Sequence, residues 1–277
     1  MKRAVIITDI SGLGNCSGST DIAVLSAMGI ECCMIPTAVL SAQTGFADSY
    51  VKPLGDSFES MLCSLQRLSP NINAVLVGFL TNKKQTECVL SYINGFVGTD
   101  TLIITDPISG DNGRKFDFIS GDMLSDIRLI AENSAVITPN ITEFCLLTNT
   151  DHSLVSSVSD TEKYNLLWEK CGGLFDKGVK NVIITGIELS DGNLSNLSAC
   201  SNGYTPCEIT RYGGSYSGTG DLFTAILCGY IMKELSPDEA MRKAAGFVQK
   251  VLCENAADII DRNYGIPYQK YLGELTE

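Results

Sequence analysis

An α/β fold is what the sequence predicts, with a central, mostly parallel sheet, helices on both faces and a few short antiparallel strands. Up to Thr185, short continuous apolar runs alternate with helix-length segments, the pattern of buried parallel strands joined by helical crossovers. From Glu188 to Thr210 that rhythm gives way to polar, turn-rich sequence containing Asp191-Gly192 and Asn202-Gly203, which predicts antiparallel hairpins. At 277 residues and 44% hydrophobic, the chain can bury one large core, and no linker or repeat divides it, so residues 1–277 are read as a single domain.

Ala4 to Ile7 is the first strand, ending at Thr8-Asp9-Ile10-Ser11-Gly12-Leu13-Gly14. A helix follows over Thr20 to Met28, with Ser19 as N-cap and Gly29 as C-cap. Glu31 to Ile35 is the next strand, and Asp56 starts a helix with a capping box to Glu59. Ala74 to Val77 is a strand, Lys84 to Phe96 a helix, and Leu102 to Ile104 a strand ending at Thr105-Asp106-Pro107. Met123 to Ala131 is helical, Ala135 to Ile137 a strand, and Asn140 opens another helix through an Asn140/Glu143 box. Asp160 to Lys177 is a long helix and Val182 to Thr185 a strand. Ser236-Pro237-Asp238-Glu239 starts a helix that runs to about Asn255, whereas the tail from Tyr264 carries no signal.

Asp plus Glu is 32 against 20 Lys plus Arg, so the chain carries a net charge of −12 and repels nucleic acid and anionic membranes. Its 11 cysteines show no C-x-x-C spacing, which favours small apolar residues in a reducing cytoplasm over a zinc or disulfide framework. The opening apolar run is too short for a secretory signal and no run is long enough to span a bilayer. A single histidine, His152, lies in a polar loop and argues against a Ser-His-Asp triad.

The segment that organises the chemistry is Gly213-Gly214-Ser215-Tyr216-Ser217-Gly218-Thr219-Gly220-Asp221, a glycine-rich loop entering an apolar helix, Leu222 to Met232. Such a helix start offers unpaired amides and a positive dipole end to an anion, and Asp221 in its first turn is either a plain helix-start residue or a general base. Elsewhere, Gly12-Leu13-Gly14-Asn15-Cys16-Ser17 nearly reads G-x-G-x-x-G, with Glu31 placed as a ribose-binding acid, so an NAD-dependent oxidoreductase is a rival reading. Asp106 and Asp111 flank a glycine-broken loop that serves as an ordinary turn or as oxygen ligands for Mg²⁺. Glu143, although part of a capping box, can still face metal-bound water. No Walker A motif occurs, so any phosphate cradle is the Gly218–Asp221 loop.

G-T-G-D opening a buried late helix resembles the ribokinase superfamily of small-molecule kinases. Asp9 to Gly14 with Cys16-Ser17, Pro36 to Ser41, Thr44-Gly45-Phe46, Asp106-Pro107 with Gly110 to Gly113, and Thr138-Pro139-Asn140 with Glu143 narrow the likeness to the pyridoxal/pyridoxamine kinases. The resemblance covers essentially the whole chain. It implies a ribokinase-like fold and ATP-dependent phosphorylation of the 5′-hydroxymethyl group of pyridoxal, pyridoxine or pyridoxamine. It further implies that Ser11 and Thr44 hold the pyridine ring, that Asp221 takes the hydroxyl proton, and that Gly218, Thr219 and Gly220 stabilise the transferred phosphoryl group. Asn140 and Thr185 would touch the ATP phosphates. Asp106, Asp111 and Glu143 would arrange Mg²⁺, with K⁺ as an optional companion, in a cytoplasmic homodimer. Phe79, Phe116 and Gln43 depart from the family pattern, which leaves vitamer preference open. A related branch phosphorylates the hydroxymethylpyrimidine precursor of thiamine and often has cysteine where Asp221 stands. A catalytically silent vitamer-binding relative is the remaining alternative.

Overall fold

The computed structural model describes residues 1–255, 257–258 and 261–276. The first half alternates as expected: β1 (Arg3–Ser11), α1 (Ser17–Ala27), β2 (Glu31–Leu40), β3 (Val51–Pro53), α2 (Gly55–Leu68), β4 (Ala74–Val77), α3 (Lys83–Phe96) and β5 (Leu102–Thr105). A two-stranded hairpin, β6 (Gly110–Asp111) and β7 (Arg114–Lys115), precedes α4 (Gly121–Glu132), β8 (Val136–Ile137), α5 (Ile141–Thr148), α6 (His152–Ser156) and α7 (Asp160–Phe175). The chain continues through β9 (Asn181–Glu188), β10 (Leu194–Cys200), β11 (Gly203–Ile209), α8 (Thr219–Met232) and α9 (Pro237–Asn255). Two 3₁₀ helices, Arg262–Tyr264 and Tyr268–Thr276, close the described chain.

Among the described residues, nine strands form one sheet in the order β11-β10-β9-β8-β5-β4-β1-β2-β3. Its centre is parallel from β2 to β9, and the antiparallel pairs lie at the edges: β2 with β3, β9 with β10, and β10 with β11. Because successive side chains of a strand face opposite ways, β1 feeds both cores. Val5 and Ile7 pack with α2, α3, α4, α5 and α7, whereas Ala4 and Ile6 pack with α1, α8 and α9. All parallel strands therefore end on one edge, where ligands of such sheets sit.

Several boundaries differ from the sequence reading for identifiable reasons. β2 runs on through Pro36, which pairs with Thr8 just where the β1–β2 register shifts, between Thr8 and Ile10. α1 begins at Ser17 rather than Thr20; Ser19 is inside it and its hydroxyl donates to the Cys16 carbonyl at 2.9 Å. No Asp56/Glu59 box forms, because α2 starts one residue earlier with Leu54 as N-cap and Asp56 lies inside the first turn; Lys84 pairs with both carboxylates, at 2.8 and 2.9 Å. The Asn140/Glu143 box is present, His152 opens the short helix α6, and the hairpin expected between Glu188 and Thr210 is β10–β11. None of the 11 cysteines is in a disulfide among the described residues, and no described helix is long and apolar enough to cross a membrane.

Candidate active site

The glycine loop meets the strand ends where α8 begins. Gly218 is the N-cap of α8 in the left-handed region, at φ 76°, and a Cβ there would run into the Asn15 carbonyl. Only glycine fits at such a position without strain. The first described hydrogen bond of the helix runs from the Leu222 amide to the Gly218 carbonyl at 3.0 Å; the amides of Gly218, Thr219, Gly220 and Asp221 have no partner among the described residues. Gly220 is exposed and Ser217 to Thr219 are half-buried, so these donors open on solvent. Together with the dipole of a 14-residue helix they form an anion cradle. The Thr224 hydroxyl donates to Thr138 Oγ1 at 3.0 Å and so fixes α8 against the segment leading into Asn140.

Asp221 is partly accessible and is held by one backbone donor: its Oδ2 accepts from the Ser17 amide at 2.8 Å. Ser17 itself sits at φ 53°, a strained conformation for a residue with a side chain, and this sets its amide toward the carboxylate. Burial raises the Asp221 pKa to about 6, the Ser17 amide pulls it back, and Asp9 adds to the rise. A carboxyl poised there can accept a proton near neutral pH.

Three more acids share charge with it, and a fourth, Glu143, with Asp106. Asp9 lies at the β1 irregularity, buried, and accepts from the Ser11 hydroxyl at 2.9 Å; burial raises its pKa despite hydrogen bonds from Ser17 and Ser11. Asp21 on α1 is buried and its pKa is driven well up by desolvation and then by Asp221 and Asp9. Asp106, at the end of β5, has a carboxylate oxygen 3.8 Å from where a Gly220 side chain would begin. Burial first, then Glu143 and Asp221, raise its pKa well above the ordinary aspartate value. Glu143 is buried, accepts from the Asn140 amide at 2.9 Å and the Ser109 amide at 3.2 Å, and is raised chiefly by desolvation.

The expected site residues are brought together unevenly. Asn140 and Thr185 pair as a bridge on adjoining strand ends, but the Asn140 side chain is already engaged, accepting from the Glu143 amide at 2.9 Å and donating to the Gly110 carbonyl at 3.0 Å. Ser11 is buried with its proton on Asp9, whereas Thr44 stands exposed on the loop after β2. Asp111 is engaged in its own loop, accepting from the Asn112 amide and side chain at 2.8 Å each. Among the described residues no group of three or more His, Cys, Asp or Glu side chains could hold a metal ion, so Asp106, Asp111 and Glu143 are not a ready-made ligand set. The donors that remain, Asp106 and Glu143 beside the buried, unpartnered Ser109 hydroxyl, are hard oxygens short of a cation, which suits Mg²⁺ held largely through water and phosphate oxygens. Asp9, Asp21, Ser17 and Ser109 escaped the sequence reading as site members. Asp21 gave no signal because a lone acid near the expected start of a helix reads as a solvated face.

The rival glycine turn is not an anion site. The Gly12, Leu13 and Asn15 amides donate to the carbonyls of Leu40, Ser41 and Tyr264 at 2.9, 3.1 and 3.0 Å, and Ser17 serves Asp221. Glu31 pairs with Arg3 at 2.7 Å instead of standing free for a ribose. The oxidoreductase reading is therefore set aside.

Residues 14–264 match the phosphomethylpyrimidine kinase family, and the chain belongs to that family. It is 30% identical to a Bacteroides thetaiotaomicron protein provisionally named a phosphomethylpyrimidine kinase. That protein's crystal structure, in a form with pyridoxal, superposes with a TM-score of 0.92 over 100% of this chain and 96% of the other. A pyridoxine/pyridoxal/pyridoxamine kinase of Bordetella avium is 25% identical over 243 residues, 84% of this chain and 79% of its own length. A Schizosaccharomyces pombe protein, provisionally named a pyridoxal kinase, is 28% identical over 174 residues, 59% of this chain. The match spans about half of that relative's length, 47%.

Proposed function

We propose that residues 1–277 form one ATP-dependent kinase domain that phosphorylates the 5′-hydroxymethyl group of a vitamin B6 vitamer. The observation that carries this reading is the row of unpartnered amides from Gly218 to Asp221 beside a carboxyl of pKa about 6. The Bacteroides relative crystallised with pyridoxal supports the choice of alcohol.

In this reading Asp221 Oδ2, oriented by the Ser17 amide, accepts the proton of the substrate hydroxyl as its oxygen attacks the γ-phosphorus of ATP, and the bond to ADP breaks. The Gly218–Asp221 amides receive the charge spreading over the transferred oxygens, as an oxyanion hole does. Ser11, at the end of β1, and Thr44, on the loop after β2, hold the pyridine ring. Asn140 and Thr185 line the path of the ATP phosphates. Asp106, Glu143 and Asp111 would hold Mg²⁺ through water, and the ion would neutralise phosphate charge. K⁺ as a companion ion, a cytoplasmic setting and a homodimer belong to the same reading.

A second reading is favoured by the family match: hydroxymethylpyrimidine as the alcohol. One coupled ADP-release assay with pyridoxal, pyridoxine, pyridoxamine and hydroxymethylpyrimidine separates the two. Turnover of a B6 vitamer at ten times or more the kcat/KM of the pyrimidine is expected. Turnover of the pyrimidine alone overturns the vitamer assignment, and vitamer binding without ADP release returns the silent relative.

A further inference from the structure

We infer that Asn263 and Gln43 are positioning residues: they clasp the loop that carries Thr44 to the loop that carries the anion cradle, with residues 261–266 as the joint. The functional meaning rests on the kinase reading, whereas the clasp itself rests on geometry. Gln43 is buried and uses its whole amide group. Its Nε2 donates to Asn263 Oδ1 at 2.9 Å and to Ser217 Oγ at 3.3 Å, and its Oε1 accepts from the Gly45 amide at 2.7 Å. Asn263 Nδ2 donates to the Gly45 carbonyl at 3.2 Å, and its own amide is fixed by Asp261 at 2.9 Å. One pair of side chains thus ties together the neighbours of Thr44 and the residue before Gly218.

The backbone around the pair repeats the connection. The Ser217 amide donates to the Arg262 carbonyl at 3.1 Å, the Asn15 amide to the Tyr264 carbonyl at 3.0 Å, and Asn15 Nδ2 to the Ile266 carbonyl at 3.0 Å. Tyr264 meets the Phe46 ring edge-on at 5.1 Å. Gly265, at φ 73°, passes so close that a Cβ would lie 2.8 Å from the Ser217 carbonyl, and a Cβ on Gly45 would strike the Asn263 side chain. Thr44 and Gly45 are exposed, and the loop's apolar anchoring lies to either side of them, at Ala42 and at Phe46 against Tyr264. The joint is made of amide hydrogen bonds, which exchange readily with water and can open and reclose. Seating the ring at Thr44 would then order the cradle as well, because both loops close on the same two side chains.

The test uses the full chain and the Asn263→Ala, Gln43→Ala and doubly substituted variants. Amide hydrogen exchange should accelerate together in segments 43–50 and 213–220 in either single variant, with little further change in the double. The kcat/KM for pyridoxal should fall about tenfold in each, through KM more than kcat, and the double should fall no further, while Tm stays close to that of the parent. Acceleration confined to one segment, or single effects that multiply in the double, overturns the inference. A measurement that needs no variant is exchange in the parent protein with and without pyridoxal: slowing in both segments is expected, and slowing in 43–50 alone refutes the coupling. If the parent turns over no vitamer, the kinase reading falls, and exchange in the variants still decides whether the clasp joins the two loops.

Discussion

Asp221→Asn should make the protein more stable and nearly inactive at the same time. An ordinary aspartate titrates at 3.8, and here burial lifts Asp221 to about 6. The folded state therefore holds the proton more tightly than the unfolded state. Between about pH 4 and 6 the unfolded chain has already lost it, so stability falls as pH rises through that window and stays lower above it. At 1.36 kcal/mol per pH unit the whole displacement is worth about 3 kcal/mol, and since water reaches one side of the carboxyl, about 1–3 kcal/mol is the expected cost of the ionised group. Asparagine carries no charge and keeps an oxygen for the Ser17 amide. At about 2 °C per kcal/mol for a chain of this size, Asp221→Asn should raise Tm by about 2–6 °C at pH 8 and leave it unchanged at pH 4. In the ADP-release assay kcat should drop a hundredfold or more, and the parent's kcat/KM should decline tenfold per pH unit below about 6. Thermal unfolding from pH 4 to 8 checks the first expectation. A lower Tm at pH 8, or a gain that does not change with pH, would mean the carboxylate is stabilised where it sits and the account of its environment is wrong. Retained activity would remove it as the base.

Two further substitutions probe the cradle and the acids facing it. Gly218→Ala puts a side chain at φ 76° against the Asn15 carbonyl. Left-handed strain and overpacking together cost about 2–5 kcal/mol, so Tm should fall by roughly 4–10 °C and residual activity should be lost with it; an alanine variant as stable and active as the parent would show that the loop is not held as described. Glu143→Gln removes a carboxyl that burial raises to about 8 and that can ionise when a cation binds, while keeping an oxygen for the Asn140 amide, and the Mg²⁺ concentration giving half-maximal rate should rise tenfold or more. An unshifted Mg²⁺ titration with normal kcat would separate Glu143 from the metal.

What the sequence revealed and what it hid follow from the range of the interactions involved. The parallel strands were legible because Ala4 to Ile7 and Ala74 to Val77 are buried on both faces and so cannot alternate. The cradle was legible because a left-handed N-cap pressed against another backbone leaves no choice but glycine. Asn140 and Glu143 were legible as a box, three residues apart in one turn. The tail was silent because its 3₁₀ turns are fixed by partners some 220 to 254 residues earlier, Gln43 and Asn15 among them, and local periodicity cannot register such bonds. Asp56 and Glu59 misled because their spacing fits a cap, whereas the helix starts one residue earlier, at Gly55, which puts Asp56 inside its first turn. Asp111 followed its own turn, where neighbouring Asn112 supplied two donors at once.

The clustering of Asp9, Asp21, Asp106, Glu143 and Asp221 looks self-defeating in a chain of net charge −12 that is read as gathering ATP. The raised pKa values resolve this. A carboxyl buried among other carboxyls keeps its proton to a higher pH, so the cluster carries less charge than its composition suggests. The positive side is supplied by groups that cost little in sequence: four amides, a helix end, and a cation attracted by the acids that remain ionised. Specific lysine or arginine ligands are then unnecessary near the cradle, which is why composition alone gave no hint of an anion site. The same arrangement explains why Asp221, and not its neighbours, is the group to bet on as the base. It alone stands at the helix start beside the free amides, partly open to solvent, with a single backbone donor setting its direction.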